Sequence, residues 1–196
     1  RDLHSFPTRR SSDLVVYLCA MENNVYDGSA TYKSGSIKIG NDIIYDHNKV
    51  GWGTITYDLG LERSSNVAVA TMMMNKMLTR DQLKKCFTTF GFGSKTGIKL
   101  PRELTGNLDF KYAVETAAAS YGQGIMTTPI QHLQALSIIA NDGTMLKPRI
   151  VDKIVDSKTN EVIYQSELKK IENVARKENV LYLRKLMYNV VNSTTP

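Results

Sequence analysis

The sequence predicts an α+β fold. Three observations lead there. Helical and strand-like segments fall in separate groups along the 196 residues. No βαβ unit repeats, so a parallel sheet wound with helices does not fit. No internal repeat is present either.

The elements follow in chain order. Leu14 to Met21 is an apolar helical piece that ends at Glu22-Asn23-Asn24. Lys38 to Ile44 reads as two short strands around a Gly40-Asn41-Asp42 turn, hence a hairpin. Gly51-Trp52-Gly53 is a flexible stretch around the only Trp. Thr54 or Thr56 then caps a short helix through Leu61. Ser64-Ser65-Asn66 interrupts, and Val67 to Met77 forms a helix. It is apolar all round and therefore buried. Its Met72-Met73-Met74 run belongs to the core. Thr79 with Gln82 has the pattern of a capping box. The helix it opens, Arg80 to Phe90, stops at Gly91 and Gly93. Gly97 to Asp109 is an irregular excursion around Pro101 and Gly106. Thr128-Pro129 opens a helix with a cap and a first-turn proline. That helix runs to Ala140 and stops at Asn141-Asp142-Gly143. Val151 to Val155 and Glu161 to Tyr164 form a second hairpin, and Val174 to Val191 is a long amphipathic helix.

Composition narrows the function classes. A hydrophobic fraction of 42% and a charged fraction of 22% are ordinary for a packed domain. Lys and Arg number 25 against 19 Asp and Glu, a net charge of +6. The charges are scattered, with no block of five or more of one sign. No basic stripe with interleaved aromatics is present, so nucleic acid is not an expected partner. No apolar run approaches the ~20 residues of a membrane span. Any membrane attachment is expected through an anchor outside this chain. The histidines, His4, His47 and His132, lack metal-ligand spacing. No Gly-rich phosphate loop occurs, so no metal or cofactor is expected. Cys19 and Cys86 lie in apolar or helical surroundings without a C-x-x-C pattern, and both are expected to be buried free thiols.

The first residues are unlike the rest. His4 to Leu14 reads HSFPTRRSSDL and shows no helical or strand period. It resembles the translation of a sequencing adapter, so residues 1–13 are set aside as a non-native segment. Native sequence is expected from Leu14, inside a helix.

Three short strings bear on chemistry. Lys95-Thr96-Gly97, Ser166-Glu167-Leu168-Lys169 and Ser64-Ser65-Asn66 match the K-T-G, S-x-x-K and S-x-N patterns of serine acyltransferases that react with β-lactams. Each is weak alone. The ordinary reading of Ser-Ser-Asn is an N-cap. The functional reading has Ser64 and Asn66 presented on one side, with Ser65 turned away. Ser64 would relay a proton, and Asn66 would both donate and accept.

Longer blocks supply context. GWGTITYDLGLERSSNVAVATMM, FGFGSKTGIKLPRELTG and ASYGQGIMTTPIQHLQALSIIANDGTMLKPRIV resemble, in order, stretches of the penicillin-binding protein transpeptidase domain. The resemblance covers roughly 14–196 and is nearest to class B enzymes of Gram-positive cell division. It implies a partial penicillin-binding and serine β-lactamase-like fold, helical subdomain plus part of the antiparallel sheet region. The chain would be the middle of such a domain, truncated at both ends.

The resemblance also sorts the strings. The working K-T-G of the family follows the YGQG block, whereas Lys95 precedes it, in a loop of the form FGFGxxTGIxLP. Lys95 is therefore expected to be a surface loop lysine. SELK comes after a hairpin in charged surroundings, not on a buried helix where a lysine could serve as base. The family's S-x-x-K would lie just upstream of Leu14, and its K-T-G beyond Pro196. Of the catalytic set, Ser64 and Asn66 remain. His47 and Trp52 would border the substrate groove, with local packing as the ordinary alternative. The implied parent is a D,D-transpeptidase on the extracytoplasmic face of the plasma membrane. It would act on peptidoglycan stem peptides, be trapped by β-lactams, and work with divisome proteins. Two rivals stand beside it: a serine β-lactamase or β-lactam sensor domain, and a non-catalytic wall-binding module of the same fold.

Overall fold

The computed structural model describes residues 6–192, with side chains from Ser11 onward; His4 and the chain end at Pro196 lie outside the described residues. Seven helices and four two-stranded antiparallel ribbons make up the described part, which bears out the α+β expectation.

Helix α1 (Phe6–Glu22) runs through the centre. Every residue from Val15 to Met21 is buried. A fully buried Val, Leu or Met side chain contributes roughly 1.5–3 kcal/mol, so this one stretch supplies much of the core. The helix begins at Phe6, which corrects the expectation that 6–13 has no helical character. Once the downstream apolar turns are packed, each added residue gains a backbone hydrogen bond at little entropic cost. Pro7 sits in the first turn, where its missing N–H is harmless. Ser11, Ser12 and Asp13 are buried with it.

Strand β1 (Thr31–Lys33) pairs with β4 (Thr54–Thr56), and β2 (Ser36–Ile39) forms the expected hairpin with β3 (Asp42–Tyr45). Thr56 caps the short helix α2 (Tyr57–Glu62), accepting from Leu59 N. Helix α3 (Asn66–Met74) is buried on all sides and ends three residues earlier than expected, capped by Asn75. Met72 and Met73 are core residues. Helix α4 (Arg80–Thr89) carries the predicted Thr79–Gln82 capping box.

Packing of α1 on α4 brings the Cα atoms of Cys19 and Cys86 to 5.9 Å, and a disulfide joins them. This corrects the free-thiol expectation. Sequence spacing carries no information about a contact made across two packed helices, while Cα separation within bridging range does.

Helix α5 (Ala113–Ser120) was not evident in the sequence. Its N-terminus lacks a Ser, Thr, Asp or Asn cap. Glu115 replaces it by accepting from Lys111 N at 2.7 Å and Tyr112 N at 3.1 Å. Helix α6 (Pro129–Ala140) starts as predicted at Thr128. Strand β5 (Met145–Leu146) pairs with β8 (Lys170–Ile171), and β6 (Lys153–Val155) with β7 (Val162–Gln165), the second expected hairpin.

Helix α7 (Lys177–Asn192) buries Val180, Leu183 and Leu186 against α1, α2 and α6. Polar contacts fix its pose. Arg176 donates to Met21 O at 2.6 Å, and Arg184 donates to Ile139 O at 2.6 Å. Tyr26 and Tyr182 both donate to the Asp58 carboxylate, at 2.5 and 2.7 Å. Burial and that carboxylate push the Tyr182 phenol up to about 12. Among the described residues, no helix is long and apolar enough to cross a membrane.

Candidate functional site

The Ser64–Asn66 turn lies where α2 gives way to α3. Ser64 takes a left-handed backbone, φ 50°, which breaks the helical path between the two elements. Ser65 is the N-cap: its hydroxyl accepts from Ala68 N at 3.0 Å and donates to Asp46 Oδ1 at 2.7 Å. Capping is thus real, and the middle residue performs it. Its side chain points inward, leaving Ser64 and Asn66 to make the other contacts.

Asp46 is the hub of this turn and was missed in the sequence. It is only 1% exposed. Oδ1 also accepts from Val67 N at 3.0 Å, and Oδ2 accepts from Gly35 N at 2.8 Å. One carboxylate therefore ties the loop after β3 to the start of α3 and to Gly35. A lone Asp in a loop after a hairpin carries no signal of that role.

Ser64 Oγ donates to Asp13 Oδ2 on α1 at 2.9 Å. The two groups border an apolar cleft of about 200 Å³, walled by Leu14, Leu61, Met187 and Val190. Asn66 is buried, and its amide donates to Tyr45 O at 2.7 Å. Ser64 thus faces α1 while Asn66 holds β3, so these two contacts go to different elements.

His47 and Trp52 are brought together, with ring centroids 5.4 Å apart. The loop carrying them folds back on Gly35. Gly51 has φ 77°, and a Cβ there would lie 2.4 Å from Gly35 N, so only glycine permits the crossing. Trp52 N donates to Ser34 Oγ at 2.7 Å, which in turn donates to Gly53 O at 2.7 Å.

The other two strings lie elsewhere. Lys95 is exposed in a loop, as expected. Thr96 is buried and donates through both N and Oγ1 to Glu103 Oε1, at 2.6 and 2.5 Å; Gly97 N donates to Oε2 at 3.2 Å. These bonds hold the Glu103 carboxyl below the usual carboxylate range. From beneath, Gln131 donates to Ser94 O and Thr105 O at 2.7 and 2.8 Å. The threonine hydroxyl of K-T-G is thus engaged in bracing its own loop. Ser166 and Lys169 sit on the β7–β8 connection, outside any helix.

His132 is buried on α6. Its ring nitrogens meet Ser11 Oγ and Thr127 Oγ1, each at 2.7 Å, and Phe92 packs edge-on at 5.0 Å. Burial holds its pKa below the ordinary value. Among the described residues, no cluster of His, Cys, Asp and Glu could hold a metal.

The model of the penicillin binding protein transpeptidase domain matches residues 14–196. The chain belongs to this family. Stage V sporulation protein D of Bacillus subtilis is 29% identical over 167 residues, 84% of this chain and 26% of that protein. Peptidoglycan D,D-transpeptidase MrdA of Acinetobacter baumannii is 32% identical over 127 residues, 59% of this chain and 19% of that protein. This transpeptidase-family chain thus spans about a quarter or less of those two relatives. Its fold matches the D,D-transpeptidase domain of a peptidoglycan glycosyltransferase from Eggerthella lenta, with a TM-score of 0.87 at 21% identity. That match covers 96% of this chain and 49% of the other. Penicillin Binding Protein 2X from Streptococcus thermophilus matches with a TM-score of 0.79 at 25% identity, covering 90% of this chain and 26% of the other.

Proposed function

We propose that this chain is the middle part of a class B D,D-transpeptidase, and that Ser64 and Asn66 belong to its acyl-transfer site. In the whole enzyme, a nucleophilic serine would attack the D-Ala-D-Ala stem and release D-Ala. The acyl group would then pass to an amine of a neighbouring stem, and a β-lactam would trap the acyl-enzyme. Such an enzyme works outside the plasma membrane, held by an anchor beyond this chain.

The observation that carries the reading is the Ser64–Asp13 contact at 2.9 Å. It lies on α1 immediately before Leu14, where an S-x-x-K motif is expected to end. A lysine at position 13 would set its amine beside the Ser64 hydroxyl. That hydroxyl could then carry a proton from the amine to the leaving group, as acid-base relays require. Asp13 accepts a hydrogen bond there but cannot serve as that amine. The 196-residue chain is accordingly proposed to be inactive, with residues 1–13 a non-native replacement. His47 and Trp52 are proposed to border the groove for the stem or the β-lactam side chain.

The test uses the longer protein carrying its own S-x-x-K and later K-T-G. There, Ser64→Ala lowers the rate of acylation by fluorescent penicillin roughly a hundredfold or more, while Lys95→Ala leaves it unchanged. Equal rates for Ser64→Ala and the parent would remove Ser64 from the mechanism.

A further inference from the structure

The long ribbon after α6 opens in its middle. Lys147 N bonds Lys169 O at 2.9 Å on one side of the opening, and Ser166 N bonds Asp152 O at 2.7 Å on the other. Between them the chains bow apart around Pro148. The loop at Gly97–Leu100 faces this gap, and together they enclose a cleft of about 510 Å³. Its lining carries four cations, Lys99, Lys147, Arg149 and Lys169, against one anion, Glu167. Arg149 is already paired with Asp152 at 2.9 Å. Among the described residues, no ion pair involves the three lysines. Apolar groups stand between the charges: Leu100, Ile150, Val151 and Tyr164 are 51%, 60%, 49% and 41% exposed.

We propose that this cleft is a docking groove for an extended segment of a partner protein, one in which acidic and apolar residues alternate. Charge complementarity selects the acidic residues, since three unpaired lysines surround the recess. The apolar walls select the residues between them. The backbone supplies the rest: among the described residues β6 and β7 form a ribbon of only two strands, and β7, which lines the cleft at Tyr164 and Gln165, offers an edge on which a third strand can pair. Side chains of an added strand alternate with a period of two, which matches lysines interleaved with apolar groups. A flat lipid surface fits less well. The hairpin tip that would enter a bilayer is polar. There Asp156 accepts from Lys158 N and Thr159 N at 2.7 and 3.0 Å.

The probe is a fluorescein-labelled peptide of five Glu-Val repeats, titrated with the 196-residue chain and followed by anisotropy. Saturable binding is expected. It should weaken roughly tenfold or more in the triple variant Lys99→Glu/Lys147→Glu/Lys169→Glu, and also when salt rises. The control Lys84→Glu/Lys85→Glu on α4 should bind as the parent does. Circular dichroism checks that each variant folds, and Lys147→Gln alone should still show a weaker affinity if the triple variant does not fold. Absence of binding, equal affinity for the Gln-Val counterpart, or equal loss in the α4 control would each overturn the proposal. So would lysine-dependent binding to phosphatidylglycerol vesicles without peptide binding, which would make the face a lipid-contacting one.

Discussion

Asp46 accepts three hydrogen bonds in a site closed to water, and two of them hold the first turn of α3. Bonds to a buried charge are worth more than neutral ones, and orphaned partners cost more still. Asp46→Ala should therefore cost on the order of 3 kcal/mol in urea denaturation; a loss under about 1 kcal/mol would contradict the hub role. His132 makes a different prediction. Its folded pKa is lowered, so the unfolded chain binds the proton more readily. Stability is then fully present above the unfolded value of about 6.5 and is lost as pH falls from there through the folded value. Melting temperature should drop between pH 7.5 and 5.5, more steeply than in His132→Gln. Equal slopes would contradict it. Glu103 and Asp142, whose pKa values are also lowered, lose their contributions at more acidic pH. At this scale the sequence was partly legible. Ser64 and Asn66 stood out because their residue types carry chemistry. Asp46, Glu103 and Gln131 did not, because each acts through partners distant in sequence.

At the scale of elements, sequence signals hold wherever a cap or a turn is local. The Thr79 and Thr128 caps, the β2–β3 turn and the β6–β7 turn all sit where their residues indicate. Misses have a common cause. Helix α5 is capped by a Glu inside the helix rather than by a residue before it. The β1–β4 and β5–β8 pairs are two or three residues long and gain stability only from distant partners. The α1–α4 disulfide is set by helix packing. Closing a loop with a sequence separation of 67, it restricts the unfolded chain by up to about 4 kcal/mol in the chain-entropy model. Reduction, or Cys19→Ser, should lower the urea midpoint accordingly. Mass spectrometry finding two free thiols in the untreated, folded chain would contradict the bridge.

For the whole molecule, the α+β class was legible because helical and strand signals segregate, and order along the chain separated the motif strings. The three strings do not converge. Ser64 meets α1, K-T-G braces its own loop through Glu103, and SELK lies on the ribbon beyond α6. What the sequence could not convey is that the place beside Ser64 on α1 is held by a carboxylate. We propose that this chain carries the Ser64–Asn66 part of a transpeptidase site without a nucleophile able to use it. The direct measurement is incubation of the purified, folded chain with fluorescent penicillin, followed by a denaturing gel. No fluorescent band is expected. A band that survives denaturation and maps to a serine, whether Ser64, Ser166 or another, would contradict it.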